Sequence, residues 1–198
     1  MFMKTLNKFF STAICIVACF ITFSQMNAQN CPTDIFPTNV PWDYGCKYYN
    51  VTWPNGNTCE TWICYCIRMS GNTKQIHISS IGYDPNCAGQ NLSESDFRII
   101  FERAAEAILN DVTVMGPCPP CGPNPPQVVE FFYRPCAESV QDSNGNWSMQ
   151  PCQTFGFCKR TYTRCCNPTT GETIITLIST TSTYICNSQN PNCKSLCD

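Results

Sequence analysis

Polar and apolar residues alternate through Gln75-Ile76-His77-Ile78-Ser79, the period-two pattern of a strand with one buried face, and His77 falls on its polar side. Comparable β-like runs cover residues 47–53, 58–68 and 74–83, and again residues 128–140, 147–164 and 173–185. Turn signals separate them: Asn55-Gly56 and Gly71-Asn72 in the first set, Asn144-Gly145 and Thr170-Gly171 in the second. Asn-Gly supplies the positive-φ pair that a tight hairpin needs, so each set predicts a three-stranded antiparallel meander. The final run is rich in Thr and Ser, which suits an exposed surface or edge strand.

Between the two sets the period changes. Ser93-Glu94-Ser95-Asp96 has the character of a capping box with Asp in place of Glu, and Phe97, Phe101, Ala104, Ile108 and Val112 follow at helical spacing. This predicts an amphipathic helix within residues 92–112 whose apolar stripe packs on a sheet. Arg98 and Arg103 stand among Glu102, Glu106 and Asp111, so the polar face is not the basic one of a membrane-surface helix. Residues 113–127 contain Gly116-Pro117-Cys118-Pro119-Pro120-Cys121-Gly122-Pro123-Asn124-Pro125-Pro126, a stiff connector unable to continue a helix. The predicted fold class is α+β and β-rich. Two disulfide-stapled three-stranded antiparallel units, residues 29–91 and 128–198, are bridged by the helix and the connector.

The two units share landmarks at an offset of about 90 residues, the signature of an internal repeat. Cys31 and Cys46 are spaced like Cys121 and Cys136; an Asn-Gly-Asn turn follows in each half, at Asn55 and at Asn144. Each half then reaches Pro-Asn-Cys, at Cys87 and at Cys193. The second copy is longer around Cys165-Cys166-Asn167-Pro168, so the predicted duplication is degenerate.

Composition adds the compartment. Lys4 and Lys8 precede the largely apolar stretch 9–23, and small Ala28 ends it in an Ala-Gln junction resembling many bacterial export signals. Residues 1–28 therefore read as a signal peptide, with the mature chain starting at Gln29. A rival cut before Cys19 resembles a lipoprotein box, but it would strand Phe20-Ile21-Thr22-Phe23 beside the lipidated cysteine, so lipidation is the lesser reading. Cleavage removes Cys15 and Cys19 from 18 cysteines and leaves sixteen, an even number suited to complete pairing in an oxidising compartment. These are Cys31, Cys46, Cys59, Cys64, Cys66, Cys87, Cys118, Cys121, Cys136, Cys152, Cys158, Cys165, Cys166, Cys186, Cys193 and Cys197. Losing the two lysines leaves ten basic against fourteen acidic residues, a net charge near −4 that argues against a nucleic-acid partner. No later stretch has the apolar length of a membrane span.

The chemistry that remains is sparse. A lone histidine, His77, denies a histidine metal site or a histidine-based triad, and the zinc set Cys59, Cys64, Cys66 and Cys87 loses to disulfides in an oxidising compartment. No metal, cofactor or catalytic residue is expected. Cys118-Pro119-Pro120-Cys121 has redox spacing without the helix that would lower a thiol pKa. Its resemblance to an antibody hinge raises a covalent dimer through Cys118 or Cys121. Adjacent Cys165 and Cys166 are expected to reach two different partners. Trp53 and Trp147 flank the Asn-Gly-Asn turns, with Tyr48 near the first, and these rings are the candidate binding residues for a protein or glycan partner outside the cytoplasm. The expected function is a secreted or cell-surface, non-catalytic binding or structural protein, such as an adhesin or an accessory subunit of an extracellular assembly. A small inhibitor or toxin acting through an exposed loop is the alternative, and a carbohydrate-active or redox enzyme the remoter one.

Overall fold

A computed structural model describes residues 31–32, 40–88, 92–152, 155–183, 186 and 190–197, so the predicted signal segment 1–28 lies outside the described residues. The chain divides into Met1–Cys31 and Pro32–Asp198, and every element belongs to the second unit. The protein is β-rich with few helices. Its strands are β1 (Asp43–Thr52), β2 (Thr58–Ser70), β3 (Thr73–Tyr83), β4 (Gln127–Tyr133), β5 (Cys136–Gln141), β6 (Trp147–Pro151), β7 (Cys158–Cys166), β8 (Thr173–Ser182) and β9 (Lys194–Ser195). The helices are α1 (Pro85–Ala88), α2 (Glu94–Asn110) and α3 (Val112–Met115), and no described helix is long and apolar enough to cross a membrane.

In the first half β1, β2 and β3 form an antiparallel meander, but β3 is covered on both faces: Ile76, His77, Ile78 and Ser79 are all buried, so the expected polar side carrying His77 does not face solvent. The second half does not form a separate unit. All strands join one sheet, in which the path β8-β7-β4-β3-β6-β5-β9 places β3 between two strands of the second half. Two of the three predicted runs break, and the third forms β8. Arg134-Pro135 splits residues 128–140 into β4 and β5, because proline cannot donate to a ladder and is confined to strand ends and irregularities. The opposite arm breaks between β6 and β7. From Tyr133↔Cys158 to Ala137↔Pro151, three residues on one arm face six on the other. At this interruption the ribbon exchanges arms against β3: Lys74–His77 pair in parallel with Val129–Phe132 of β4, whereas Ile81–Tyr83 pair antiparallel with Trp147–Met149 of β6. Parallel pairing of β3 with β4 requires a crossover, and α2 is that crossover.

Ser93 caps α2, its side chain accepting from the Asp96 N–H while Asp96 accepts from the Ser93 N–H, the reciprocal capping box. Phe97, Ile100, Phe101, Ala104, Ala105, Ile108 and Leu109 are its buried face. They meet Val51, Trp53, Ile63, Ile76, Ile81 and Phe131 of the sheet in one core. Val112, expected at the end of the apolar stripe, is 58% exposed, because α2 stops at Asn110 and Asp111 restarts the chain as the N-cap of α3. Asp111 also accepts from Lys47 Nζ and, at 3.0 Å, from the Tyr49 hydroxyl, tying the helix end to β1. Burial alone would raise its pKa, but these bonds and those from Thr113 hold it at about 2.

All sixteen expected cysteines are disulfide-bonded. Cys46–Cys64 joins directly opposed residues of β1 and β2, and Cys59–Cys87 ties β2 to α1. Cys118–Cys166 and Cys121–Cys165 fasten the Pro-rich connector to the end of β7. Cys136–Cys186, Cys152–Cys193 and Cys158–Cys197 hold the C-terminal tail against the strand interruption.

Candidate functional site

Across the outer face of the sheet, the side opposite α2, one row of residues runs in register: Tyr48 of β1 faces Trp62 of β2, Trp62 faces Gly82 of β3, and Gly82 faces Ser148 of β6. Alternation places Tyr48 and Trp62 on this face because Tyr49 and Ile63 point into the core. Tyr48 is 58% and Trp62 37% exposed, and their rings lie 4.3 Å apart between centroids at 47°. Gly82 keeps the floor open: a Cβ there would sit 3.4 Å from the Cβ of Trp62. The result is a groove of about 620 Å³ lined by these residues and by Glu60, Tyr83, Asp84, Asp142, Asn146 and Trp147.

Two tight turns build its rim. At 142–146 the Asp142 N–H donates to the Asn146 carbonyl and the Gly145 N–H to the Asp142 carbonyl, with Gly145 at φ 88°. Bonds from the Asn146 side chain and backbone, then from the Asn144 and Gly145 backbone, keep the Asp142 carboxyl below its ordinary range, hence ionised. The other rim is an Asx turn in which Asp84 Oδ1 accepts from the Asn86 N–H at 2.8 Å. Glu60, Asp84 and Asp142 put three carboxyl groups on the groove, and its lining contains no Lys or Arg. Aromatic faces with convergent acceptors can stack on an apolar ring face while accepting from hydroxyl or amine donors around it.

Of the three candidate rings, Tyr48 and Trp147 line this groove together. Trp147 also lines a second depression of about 400 Å³ with Phe97, Ser139 and Lys194; adjacent to outward-facing Ser148, it belongs to the α2 side of the sheet, half-buried against the core at the edge of the groove. Trp53 is elsewhere. It is 2% exposed, donates its indole N–H to Thr61 Oγ1 at 3.2 Å, and packs 4.9 Å from the Tyr83 ring, leaving no face for a ligand. Trp62, Glu60, Asp84 and Asp142 were not singled out from sequence. The available signal was Glu60-Thr61-Trp62, which sets an acid and an indole two residues apart on the polar phase of β2.

The cysteine chemistry resolves differently from its spacing. Cys118 and Cys121 are bonded to Cys166 and Cys165, not to each other, so neither thiol is left for exchange or for a bond between chains. Adjacent Cys165 and Cys166 thus take two separate partners. Glu138, Cys152 and Cys193 approach within metal-binding distance, but the two sulfurs are joined to one another and supply no thiolate. No protein family, curated protein or solved structure matches this chain.

Proposed function

We propose that this chain is an exported, non-catalytic binding protein that recognises a glycan through the groove of Tyr48, Trp62 and Trp147, serving as an adhesin or as an accessory subunit of a surface assembly. The observation carrying this reading is the row of exposed aromatic rings beside three carboxyl groups in a groove of about 620 Å³, within the size range of small-ligand sites. A sugar ring stacks on the Tyr48 and Trp62 rings, and its hydroxyls donate to Glu60, Asp84 and Asp142. Disulfides at this density support an oxidising extracellular setting and a rigid frame for the groove.

The groove also supports descent of the two halves from one duplicated unit. The turns at 53–57 and 142–146 close with the same pair of backbone bonds, and Asp84-Pro85-Asn86-Cys87 and Asn190-Pro191-Asn192-Cys193 make the same Asx turn. Cys59–Cys87 and Cys152–Cys193 join corresponding positions. Cys46–Cys64 and Cys136–Cys186 do not, so the copies have diverged in their other staples.

Titration of soluble oligosaccharides, followed by tryptophan fluorescence and calorimetry, tests the reading. Trp62→Ala and Tyr48→Ala should each weaken binding roughly tenfold, the worth of one aromatic stack. Gly82→Val, which fills the groove floor, should do the same without removing a ring. Saccharide binding indifferent to all three variants would overturn the site, and turnover of the saccharide would overturn the non-catalytic assignment.

A further inference from the structure

Acids elsewhere in this protein are matched by cations: Asp111, Glu94, Glu102, Glu106 and Glu130 each form an ion pair with a Lys or Arg. Glu60, Asp84 and Asp142 form none among the described residues, although all three line the groove of Tyr48 and Trp62. Glu60 stands two residues before Trp62 on β2, Asp84 follows Tyr83 at the end of β3, and Asp142 opens the turn that leads to β6. Three like charges on one groove repel one another, and a bound cation relieves that repulsion.

Hydrogen-bond donors are scarce in the same place. The Tyr83 hydroxyl donates to Ser139 Oγ at 2.9 Å and the Asn146 amide to Asp142 Oδ2 at 3.1 Å, so both are spent inside the protein. A carboxylate or sulfate ligand would therefore meet repulsion with no Lys or Arg to offset it, and an acetamido carbonyl would meet few donors. An ammonium group brings donors alone, which suits a lining of acceptors, and aromatic faces attract it as well. Gly82 leaves room on the floor beside Trp62 for a whole sugar ring.

We propose that the glycan held in this groove is a cationic amino sugar, a chain of hexosamine units with free amines. Its ring lies on Tyr48 and Trp62, and its ammonium sits among Glu60, Asp84 and Asp142. This specificity rests on the glycan reading of the groove and adds a charge requirement to it.

Calorimetric titration of the oxidised mature protein with tetramers of glucosamine, of N-acetylglucosamine and of a uronic acid tests this. At about pH 5.5, where the sugar amine is protonated, the glucosamine tetramer should bind about tenfold tighter than the N-acetylated one. The uronic acid tetramer should bind weakest. The preference should shrink at about 0.5 M salt and fade near pH 9 as the amine loses its proton. Glu60→Gln and Asp84→Asn should each lower the ratio of the two affinities about threefold, the worth of one exposed ion pair. Asn at position 84 still accepts from the Asn86 N–H, so the turn is kept. Glu60→Lys should raise the uronic acid tetramer above the glucosamine one, a reversal that loss of folding would not produce. Equal affinity for the amine and acetamide tetramers, with both sensitive to Trp62→Ala, would overturn the charge requirement and leave the glycan site standing. A protein that binds no saccharide at all would overturn the glycan reading with it. A lysine tetrapeptide held as tightly as the glucosamine tetramer would overturn the proposal in favour of a basic peptide.

Discussion

The Asn-Gly turns at 53–57 and 142–146 share their backbone bonds, yet they send their tryptophans to opposite fates. Trp53 is the first residue of its turn and faces the helix side, where it is sealed in the core. Trp147 is the first residue after its turn, beside Tyr83 on β3, and its ring borders two depressions. The same local structure therefore seals one indole in the core and leaves the other half-buried at the edge of the groove. A ring's position relative to the turn, not its nearness to it, decides which. The staples differ likewise. Cys46–Cys64 spans 18 residues along a ladder that is already paired, whereas the three tail disulfides span 39 to 50 and fasten a tail whose described strand is the two-residue β9.

The strongest way to break the comparison is Trp53→Ala, which removes a buried indole and the hydrogen bond it donates to Thr61, at a cost of roughly 3–5 kcal/mol in denaturant unfolding; Trp147→Ala, at a half-buried ring, should cost less. Next, replacing Cys158 and Cys197 together by Ala should cost about 4 kcal/mol by loop-closure entropy, against about 3 for Cys46 with Cys64. The difference sharpens if the already paired β1–β2 ladder lowers the second value, and equal or reversed costs would remove the distinction between the halves. Asp111→Asn should cost about 1–2 kcal/mol after allowing for the half-exposed Lys47 partner. With its folded pKa at about 2, below the ordinary 3.8, the Asp111 contribution is complete above pH 4 and drains away as pH falls through 2. Acid titration of stability should therefore flatten in the variant over that window. Smallest of all, Trp62→Ala, at a ring that is 37% exposed, should shift the unfolding midpoint only slightly while abolishing most saccharide response, the outcome that keeps binding and stability apart.

Much of the first half was legible because its contacts are local. The runs 47–53, 58–68 and 74–83 are bounded by turn signals and each lies largely within a strand, and the Ser93–Asp96 box announces α2. The second half reads as three long strands, and what hides the interruption of the first two is its non-local cause. Arg134-Pro135 looks like any strand flaw until β3 is seen to need one arm of the ribbon at Lys74–His77 and the other at Ile81–Tyr83. No local pattern encodes parallel pairing between residues 55 apart in sequence. The groove was half legible for the same reason: Tyr48 and Trp147 stand out as aromatics near turns, but Trp62 becomes their neighbour only through the cross-strand register, and Asp84 and Asp142 meet only when β3 and β6 pair.

Disulfide order also sets a timetable. A ribosome makes the chain from its N-terminus, so both Cys46–Cys64 and Cys59–Cys87 have their partners once residue 87 has emerged. Cys118, Cys121, Cys136, Cys152 and Cys158 must wait for partners between Cys165 and Cys197, and during that wait five thiols emerge ahead of every correct mate. The second half is thus where mispairing concentrates, and its maturation calls for a catalyst that reshuffles bonds rather than one that only forms them. A nonsense codon a dozen residues before Asp198 would remove the mates of Cys136, Cys152 and Cys158 together, and with them the closure of the whole second half.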